Sequence, residues 1–183
     1  MDLVYLAGAP GAGKSTLMAE LTARCERHPQ KGPPPHDALI RDGDILGCEI
    51  GKHRAAFPGT DALSMSVQPV TLDWMRRFYY RTVLGEGQRL GNRKFLDAAA
   101  SMAYFVTLVY LDADEDLLRQ RRSARGSAQD YGWVKGAATQ AANLFAWAEQ
   151  QTRITAVSFD AAVPPAELAA QLTSTIPALK GFK

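Results

Sequence analysis

The chain has 183 residues, of which 46% are hydrophobic and 22% charged, and its formal net charge is +2. This composition is typical of a globular protein with an ordinary core, and the length predicts a single domain over residues 1–183. The small net charge gives no reason to expect a membrane or nucleic-acid surface, although it allows a local basic groove. Cys25 and Cys48 form no disulfide framework, and residues 1–10 lack the features of a signal peptide, so we expect a cytoplasmic protein.

Short apolar runs alternate with helix-like segments along the chain. The first half predicts a strand at 3–7, a helix at 14–27, a strand at 38–40, a helix at 71–80 and a strand at 81–84. The second half predicts helices at 89–100, 112–125 and 133–151, strands at 105–111 and 154–159, and a last helix starting at 165. This alternation indicates an α/β fold with a parallel sheet covered by helices on both faces.

The strongest motif lies between the first strand and the first helix. The pattern G-x-x-x-x-G-K-[ST] is matched by Gly8, Ala9, Pro10, Gly11, Ala12, Gly13, Lys14 and Ser15. Its glycines let successive N–H groups turn toward a phosphate at a helix N-terminus, where the helix dipole also favours an anion. Lys14 is expected to reach the β- and γ-phosphates, and Ser15 to offer its hydroxyl to Mg²⁺. Together with Thr16, this phosphate loop predicts a nucleotide-binding site.

Two acidic positions are candidates for the chemistry beside the phosphate loop. Glu86 follows the third predicted strand, so it could hold the Mg²⁺ shell or polarise an acceptor, or it could be a solvated loop residue. Asp44 follows the second predicted strand and could accept the proton of an acceptor hydroxyl, with Asp42 as its rival. Either aspartate could instead cap a helix that begins near Ile45.

A run of arginines follows the fourth predicted strand. Arg119, Arg122 and Arg125 are spaced three residues apart and would share one helix face. Such a face could close over the nucleotide and neutralise charge on a transferring phosphoryl group. The alternative is a solvated basic helix end that complements the helix dipole.

The loop at residues 8–15, Asp44, Glu86 and the arginine run together resemble the small P-loop kinases. The likeness is to nucleoside and nucleotide kinases, polynucleotide 5′-kinases and chloramphenicol phosphotransferases. It implies a three-layer sandwich around a five-stranded parallel sheet of order 2-3-1-4-5, with ATP and Mg²⁺ as cofactors. It also implies an acceptor-binding insertion at about 45–80 and a lid at about 119–136.

The resemblance also implies where the acceptor binds. Asp61, Ser64, Met65, Glu86 and Arg89 are the expected acceptor contacts, and Asp61 could alternatively cap the next helix. Such kinases usually carry Asp-Gly where this chain has Glu86-Gly87, so a nucleoside monophosphate is a doubtful acceptor. The segments 57–66, 85–92 and 133–136 are also similar to bacteriophage kinases that phosphorylate 5-hydroxymethyluracil in DNA.

Some basic and aromatic residues could bind a DNA acceptor. A groove for phosphates would fit His53, Arg54, Arg76, Arg77, Arg81, Arg89, Arg93 and Lys94, although surface solvation also explains them. A base-stacking face could come from Trp74, Phe78, Tyr79 and Tyr80, although aromatics at this spacing more often form core. Trp133, Phe145 and Trp147 are interpreted as packing residues.

The leading hypothesis is an enzyme that transfers the γ-phosphoryl group of ATP to a hydroxyl of a nucleoside-type acceptor. In this hypothesis Lys14, Asp44, Arg119 and Arg122 are catalytic. Two alternatives stay open, a nucleotide-gated regulatory module and a kinase of an antibiotic or nucleotide sugar.

Overall fold

A single mixed sheet forms the centre of the molecule. The computed structural model describes residues 1–51, 59–77, 80–124, 126 and 130–182. The strands are β1 (Asp2–Gly8), β2 (Glu26–Gln30), β3 (His36–Arg41), β4 (Asp44–Ile50), β5 (Thr82–Glu86), β6 (Phe105–Asp112) and β7 (Ile154–Asp160). The helices are α1 (Lys14–Leu21), α2 (Val67–Arg77), α3 (Arg93–Ser101), α4 (Glu115–Ala124), α5 (Tyr131–Ala148) and α6 (Pro165–Thr175). Short 3₁₀ helices lie at Thr60–Ala62 and Pro177–Phe182.

The sheet differs from the expected one in strand number and order. Within the described residues it has seven strands in the order β2-β3-β4-β5-β1-β6-β7, rather than five in the order 2-3-1-4-5. The run from β4 to β7 is parallel, whereas β2 and β3 are antiparallel additions at the β4 edge. The α/β class is confirmed, and the two strands that the sequence patterns did not predict are β2 and β4, since the predicted strand at 38–40 lies within β3.

The hairpin turn lies in the acidic segment after β3. Asp42 and Gly43 have φ angles of 54° and 87°, and Arg41 pairs with Asp44 across the turn. Two central residues with positive φ form the tight turn whose twist matches that of antiparallel strands. Asp44 therefore begins β4, and the helix expected near Ile45 is replaced by this strand.

The first helix is shorter than expected because the residues after it pair with another strand of the sheet. It ends at Leu21, and the end of the predicted helix pairs as β2 with β3. Arg27 on β2 donates hydrogen bonds to Asp37 (3.1 Å) and to Glu49, which lie on β3 and β4. This ion-pair network stabilises the extended backbone although local propensity favours a helix.

Each face of the sheet supports its own hydrophobic core. Successive strand residues point to opposite faces, so Leu3 and Tyr5 join one core while Val4 and Leu6 join the other. Helices α2, α3 and α5 contribute to the first core, and α1 and α6 to the second. In the described part of the chain, no helix combines the length and apolar character needed to cross a bilayer.

Candidate active site

The phosphate loop connects the carboxyl end of β1 to the start of α1. Gly8, Gly11 and Gly13 have φ angles of 147°, 97° and 94°, a region of backbone conformation that side chains with a Cβ rarely adopt. The Lys14 ammonium folds back over the loop, with Nζ 2.9 Å from the Gly8 carbonyl oxygen and 3.1 Å from that of Ala9. The loop therefore presents a cation and a helix N-terminus at the same edge of the sheet.

Glu86 lies directly beside the phosphate loop. It ends β5, which pairs with β1, and its Oε1 accepts a hydrogen bond of 2.9 Å from the Ser15 hydroxyl. Glu86 is only 3% exposed, and the backbone of Gly59 covers its carboxylate so closely that a Cβ at that position would collide with it. Burial raises the pKa of Glu86 to about 7, while the Lys14 charge and the Ser15 hydrogen bond oppose that rise.

The Ser15 and Glu86 oxygens are the donor type that Mg²⁺ prefers. The two oxygens are 2.9 Å apart, so both could bind the same ion, and the cationic Lys14 lies next to them. Among the described residues, no group of three or more His, Cys, Asp or Glu side chains is arranged to hold a metal alone. The residues thus fit a Mg²⁺ ion that shares its remaining ligands with nucleotide phosphates.

Two consecutive arginines of α4 contact the phosphate loop. Arg121 donates to the Ala12 carbonyl (3.3 Å) and to the Ala161 carbonyl (2.8 Å), which lies after β7. Arg122 donates to the Pro10 carbonyl (3.1 Å). Both side chains thus link the loop to neighbouring elements.

The three arginines predicted to share one face stand differently with respect to the loop. The Arg119 side chain is 66% exposed and pairs with Asp116 on the outer side of α4, and Arg125 lies outside the described residues. Arg121, which contacts the loop, does not share the three-residue spacing on which the prediction is based. The sequence signal for Arg121 is the apolar Leu118, since residues three and four positions later share its helix face.

A cavity of about 270 Å³ opens on one side of the phosphate loop, between α1, α4 and the start of α6. Its lining is mostly apolar, with the Arg121 side chain at its wall. The lining residues are Ala12, Gly13, Thr16, Leu17, Leu111, Arg121, Ala124, Ala161, Val163, Pro165 and Leu168. A concave apolar site with few polar groups is typical of a small-molecule pocket.

A narrower cleft lies on the other side of the loop, between α5 and the segment that follows β5. Lys14 contributes to its wall, together with two glutamines. The lining residues are Ala7, Gly8, Lys14, Gly87, Gln88, Gly91, Ala137, Gln140, Ala141 and Leu144. The phosphate loop therefore has a concave site on each side, and the second is much smaller, with a volume of about 20 Å³.

Asp61 shapes the segment after β5 rather than capping α2. Its Oδ1 accepts hydrogen bonds from the backbone N–H groups of Gln88 (2.7 Å) and Arg89 (3.1 Å). Arg89 also approaches the Asp61 carbonyl oxygen at 3.5 Å, and its buried Nε has no hydrogen-bond partner within the described residues. The segment is fastened further by the Tyr5 hydroxyl, which donates to the Gly87 carbonyl at 2.8 Å.

Comparison with known families agrees with this geometry. The model of the family described as P-loop Nucleotide Kinase3 matches residues 1–176. The chain belongs to this family. Membership confirms the prediction of a small P-loop kinase and supports nucleotide binding and phosphotransferase activity in general. No curated protein matches the sequence.

In this P-loop nucleotide kinase, Asp44 lies at the wrong edge of the sheet for catalysis. It begins β4, whereas the phosphate loop follows the carboxyl end of β1, and the two strands run in the same direction. A strand of seven residues spans roughly 20 Å, so Asp44 and the neighbouring Asp42 are far from Lys14. Both side chains are exposed, and neither is placed to receive the proton of an acceptor hydroxyl.

The remaining acceptor candidates of the kinase are less closely tied to the loop. The Ser64 hydroxyl contacts the Ser66 hydroxyl at 3.0 Å, and Met65 is 82% exposed. Residues 52–58, which include Phe57 and Pro58 of the predicted acceptor segment, lie outside the described residues. Contacts of Ser64 and Met65 with an acceptor stay predictions.

The basic residues that were expected to form one groove are divided between two edges. Arg89, Arg93 and Lys94 follow β5 at the edge of the phosphate loop. Arg76, Arg77 and Arg81 lie at the opposite edge, where the Arg81 carbonyl accepts from Asp2, the first residue of β1. His53 and Arg54 lie outside the described residues. The described bases therefore do not form one continuous DNA groove.

The aromatic residues also separate into two groups. Trp74 is buried against the ring of His36 at 4.7 Å, with Tyr80 5.5 Å from the same ring, so both are packing residues. Phenylalanine and tyrosine at positions 78 and 79 lie outside the described residues. Phe145 stacks on Tyr110 at 5.0 Å, and Trp147 packs against the core near Arg93. Trp133, interpreted from sequence as a packing residue, is instead 48% exposed.

Proposed function

We propose that this chain transfers the γ-phosphoryl group of ATP to a hydroxyl of a nucleoside-type acceptor. The observation that carries the proposal is the contact between Ser15 and Glu86 beside Lys14, on a loop that separates two clefts. A phosphate donor in one cleft and an acceptor at the mouth of the other would meet at these three side chains. Such an arrangement suits phosphoryl transfer, which depends on positioning and charge stabilisation.

The wider cavity is the proposed site for the base of ATP. Its apolar walls suit a planar ring, and Arg121 closes it by bridging the Ala12 and Ala161 carbonyl oxygens. The phosphates would then lie along residues 8–15, where the loop N–H groups and the start of α1 favour anions. Arg122 is held against Pro10, close enough to the loop to add a second positive charge.

The reaction forms a bond between the acceptor oxygen and the γ-phosphorus and breaks the bond from that phosphorus to the β–γ bridging oxygen. ADP leaves, and the hydroxyl proton is released as the new bond forms. Lys14 would leave the Gly8 and Ala9 carbonyl oxygens to bind the β- and γ-phosphates, balancing their charge. Ser15 and Glu86 would hold Mg²⁺, which when bound supplies charge stabilisation at the phosphate oxygens.

The acceptor is proposed to bind at the mouth of the narrower cleft, near Gln88 and Arg89. Of the three carboxylates predicted from sequence, Glu86 contacts the phosphate loop, whereas Asp61 is occupied by backbone N–H groups and Asp44 lies at the far edge. Glu86 is therefore the carboxylate that we propose both to hold Mg²⁺ and to lie beside the acceptor hydroxyl. The acceptor hydroxyl loses its proton late in the transfer, so the reaction does not need a strong base.

The test is transfer of labelled γ-phosphate from ATP to a panel of acceptors. The panel contains nucleosides, nucleoside monophosphates, hydroxyl-bearing antibiotics, nucleotide sugars, and DNA with and without 5-hydroxymethyluracil. We expect label on at least one nucleoside-type acceptor and a loss of at least about 100-fold in Lys14→Ala, because a preorganised cation of this kind stabilises the transition state by several kcal/mol.

The matched control is Lys180→Ala, which removes an exposed lysine in the carboxyl-terminal 3₁₀ helix. Its transfer rate should equal that of the wild type. An undiminished rate in folded Lys14→Ala would refute the proposal. Tight ATP binding without transfer to any acceptor would favour a nucleotide-gated binding module instead.

A further inference from the structure

We propose that Trp133 and Gln140 on α5, with Gln88 on the opposite side, bind the base of the acceptor over the mouth of the narrower cleft, whose volume of about 20 Å³ is too small to enclose a ring. The inference rests on the proposed kinase function and names the part of the acceptor that the protein recognises. The recognised group is a planar, uncharged heterocycle with hydrogen-bonding edges, which is the chemistry of a nucleobase.

The cleft face of α5 is defined by its contacts. Ala137, Gln140 and Leu144 of this helix line the cleft opposite Gly87 and Gln88. Ala137 and Leu144 are buried, whereas Gln140 is exposed within the cleft. The Gln140 carboxamide is therefore a polar group on the α5 wall that solvent or a ligand can reach.

Helical spacing extends this face to Trp133. Trp133 precedes Ala137 by four residues and Gln140 by seven, so the three side chains share one face of α5. At 1.5 Å per residue, Trp133 lies roughly 6 Å beyond Ala137 along the helix axis. Trp133 is not itself one of the residues that line the cleft, and its side chain is 48% exposed one helical turn beyond them.

The charges of the cleft indicate what kind of group it recognises. Of the described residues that line it, Lys14 alone is charged, and its proposed partner is the transferring phosphoryl group. The remaining polar side chains are the carboxamides of Gln88 and Gln140. A carboxamide offers a donor and an acceptor side by side, which matches the edge of a base.

Stacking and pairing would act together on such an acceptor. A tryptophan face binds a base through stacking worth about 1–3 kcal/mol per base, largely independent of its sequence. The two carboxamides would then select among bases by their hydrogen-bonding edges. Trp133 is therefore inferred to supply affinity, and Gln140 and Gln88 to supply selectivity.

The experiment measures transfer to free nucleosides and to the same bases in single-stranded oligonucleotides. Variants are Trp133→Ala, Trp133→Phe and Gln140→Ala. We expect Trp133→Ala to raise the acceptor KM by roughly 5- to 150-fold with the KM for ATP unchanged, since this range is the stacking contribution expressed as a ratio. Trp133→Phe should recover part of the loss, and Gln140→Ala should change the ranking of the bases. The two substrate forms distinguish a free nucleoside from a base within a polynucleotide.

One matched control lies on the same helix and another just beyond its end. Tyr131→Ala removes an aromatic side chain that is 69% exposed and two residues away, which places it on another face of α5. Gln150→Ala removes an exposed glutamine just beyond the other end of that helix. Both controls should keep the wild-type acceptor KM.

Two results would overturn the inference while leaving the kinase function intact. One is an acceptor KM in Trp133→Ala equal to that in Tyr131→Ala. The other is equally efficient transfer to acceptors without a planar ring, such as simple sugars. Quenching of tryptophan fluorescence by the five common nucleosides, in the presence of a non-hydrolysable ATP analogue, gives an independent readout. Quenching should be lost in Trp133→Phe, and its absence in the wild type would refute the inference even if no transfer is found.

Discussion

At the scale of single residues, the ionisation of Glu86 links the site to pH. Burial raises the pKa of this carboxyl from 4.5 to about 7, although Lys14 and the Ser15 hydroxyl favour the charged form. Folding therefore favours the protonated acid, and among the described residues Lys14 and Ser15 are the partners that favour the ionised form. A bound cation at the same oxygens would favour ionisation, as the proposed Mg²⁺ site requires.

This environment predicts how stability changes with pH in the absence of ligands. At pH values below 4.5 Glu86 is protonated in both states, and between 4.5 and about 7 the unfolded chain releases the proton first. The free energy of unfolding should therefore fall by on the order of 3 kcal/mol across this window, relative to Glu86→Gln. Urea unfolding of both proteins at pH 4.5, 6 and 8 measures the difference. Parallel pH profiles for the two proteins would contradict the prediction.

At the scale of elements, the hairpin of β3 and β4 decides which acid can reach the substrate. The turn at Asp42 and Gly43 reverses the chain, so Asp44 begins a parallel strand and Glu49 lies toward its end. Glu49 is engaged by Arg27, which fixes the edge hairpin to the parallel part of the sheet. The edge strands therefore stabilise the fold, and the acids in the turn between β3 and β4 lie away from the phosphate loop.

Substitutions of Asp44 and Glu86 test which of the two carboxylates takes part in phosphoryl transfer. We expect Asp44→Asn to keep its phosphoryl-transfer rate within about two-fold of the wild type, because the change lies in an exposed turn roughly 20 Å away. Glu86→Gln should lose at least about 100-fold, since it removes the carboxylate beside Ser15. Steady-state rates at pH 8 compare the two, and a large loss in folded Asp44→Asn would show that the edge assignment is wrong.

At the scale of the whole molecule, the wider cavity lies where distant parts of the chain meet. Arg121 of α4 donates to Ala12 in the phosphate loop and to Ala161 after β7, and so connects three elements around one pocket. A ligand in this cavity would bind only the folded chain. Ligand binding should therefore appear as thermal stabilisation.

The size of that stabilisation can be predicted. ATP with Mg²⁺ at 100 times its Kd adds about 2.7 kcal/mol, or roughly 5–10 °C in Tm for a chain of this size. Arg121→Ala should lose most of the shift at the same ATP concentration, because it removes a wall of the cavity and the hydrogen bonds that hold the Ala12 and Ala161 carbonyl oxygens beside it. Arg119→Ala is the matched control and should retain it, since its exposed ion pair contributes little. An equal shift in all three proteins, measured by scanning calorimetry, would exclude Arg121 from the nucleotide site.

The sequence alone determined the features that depend on neighbouring residues. The phosphate loop requires glycines at fixed positions between a buried strand and a helix, so residues 8–15 could be predicted from a local pattern. Glu86 could be placed as well, because the end of a parallel strand beside β1 must lie at the same edge. The α/β class followed from the alternation of strands and helices for the same reason.

Only the tertiary structure decided the features that depend on distant partners. Residues 26 and 27, the end of the predicted helix, belong instead to β2, where Arg27 meets Asp37 and Glu49 of the neighbouring strands, a pairing that no local pattern reveals. Pairing across the sheet likewise set the edge on which Asp44 lies, and helix packing brought Arg121 rather than Arg119 to the loop. The exposure of Trp133 beyond the cleft was decided in the same way, because burial depends on what packs against a side chain as well as on its type.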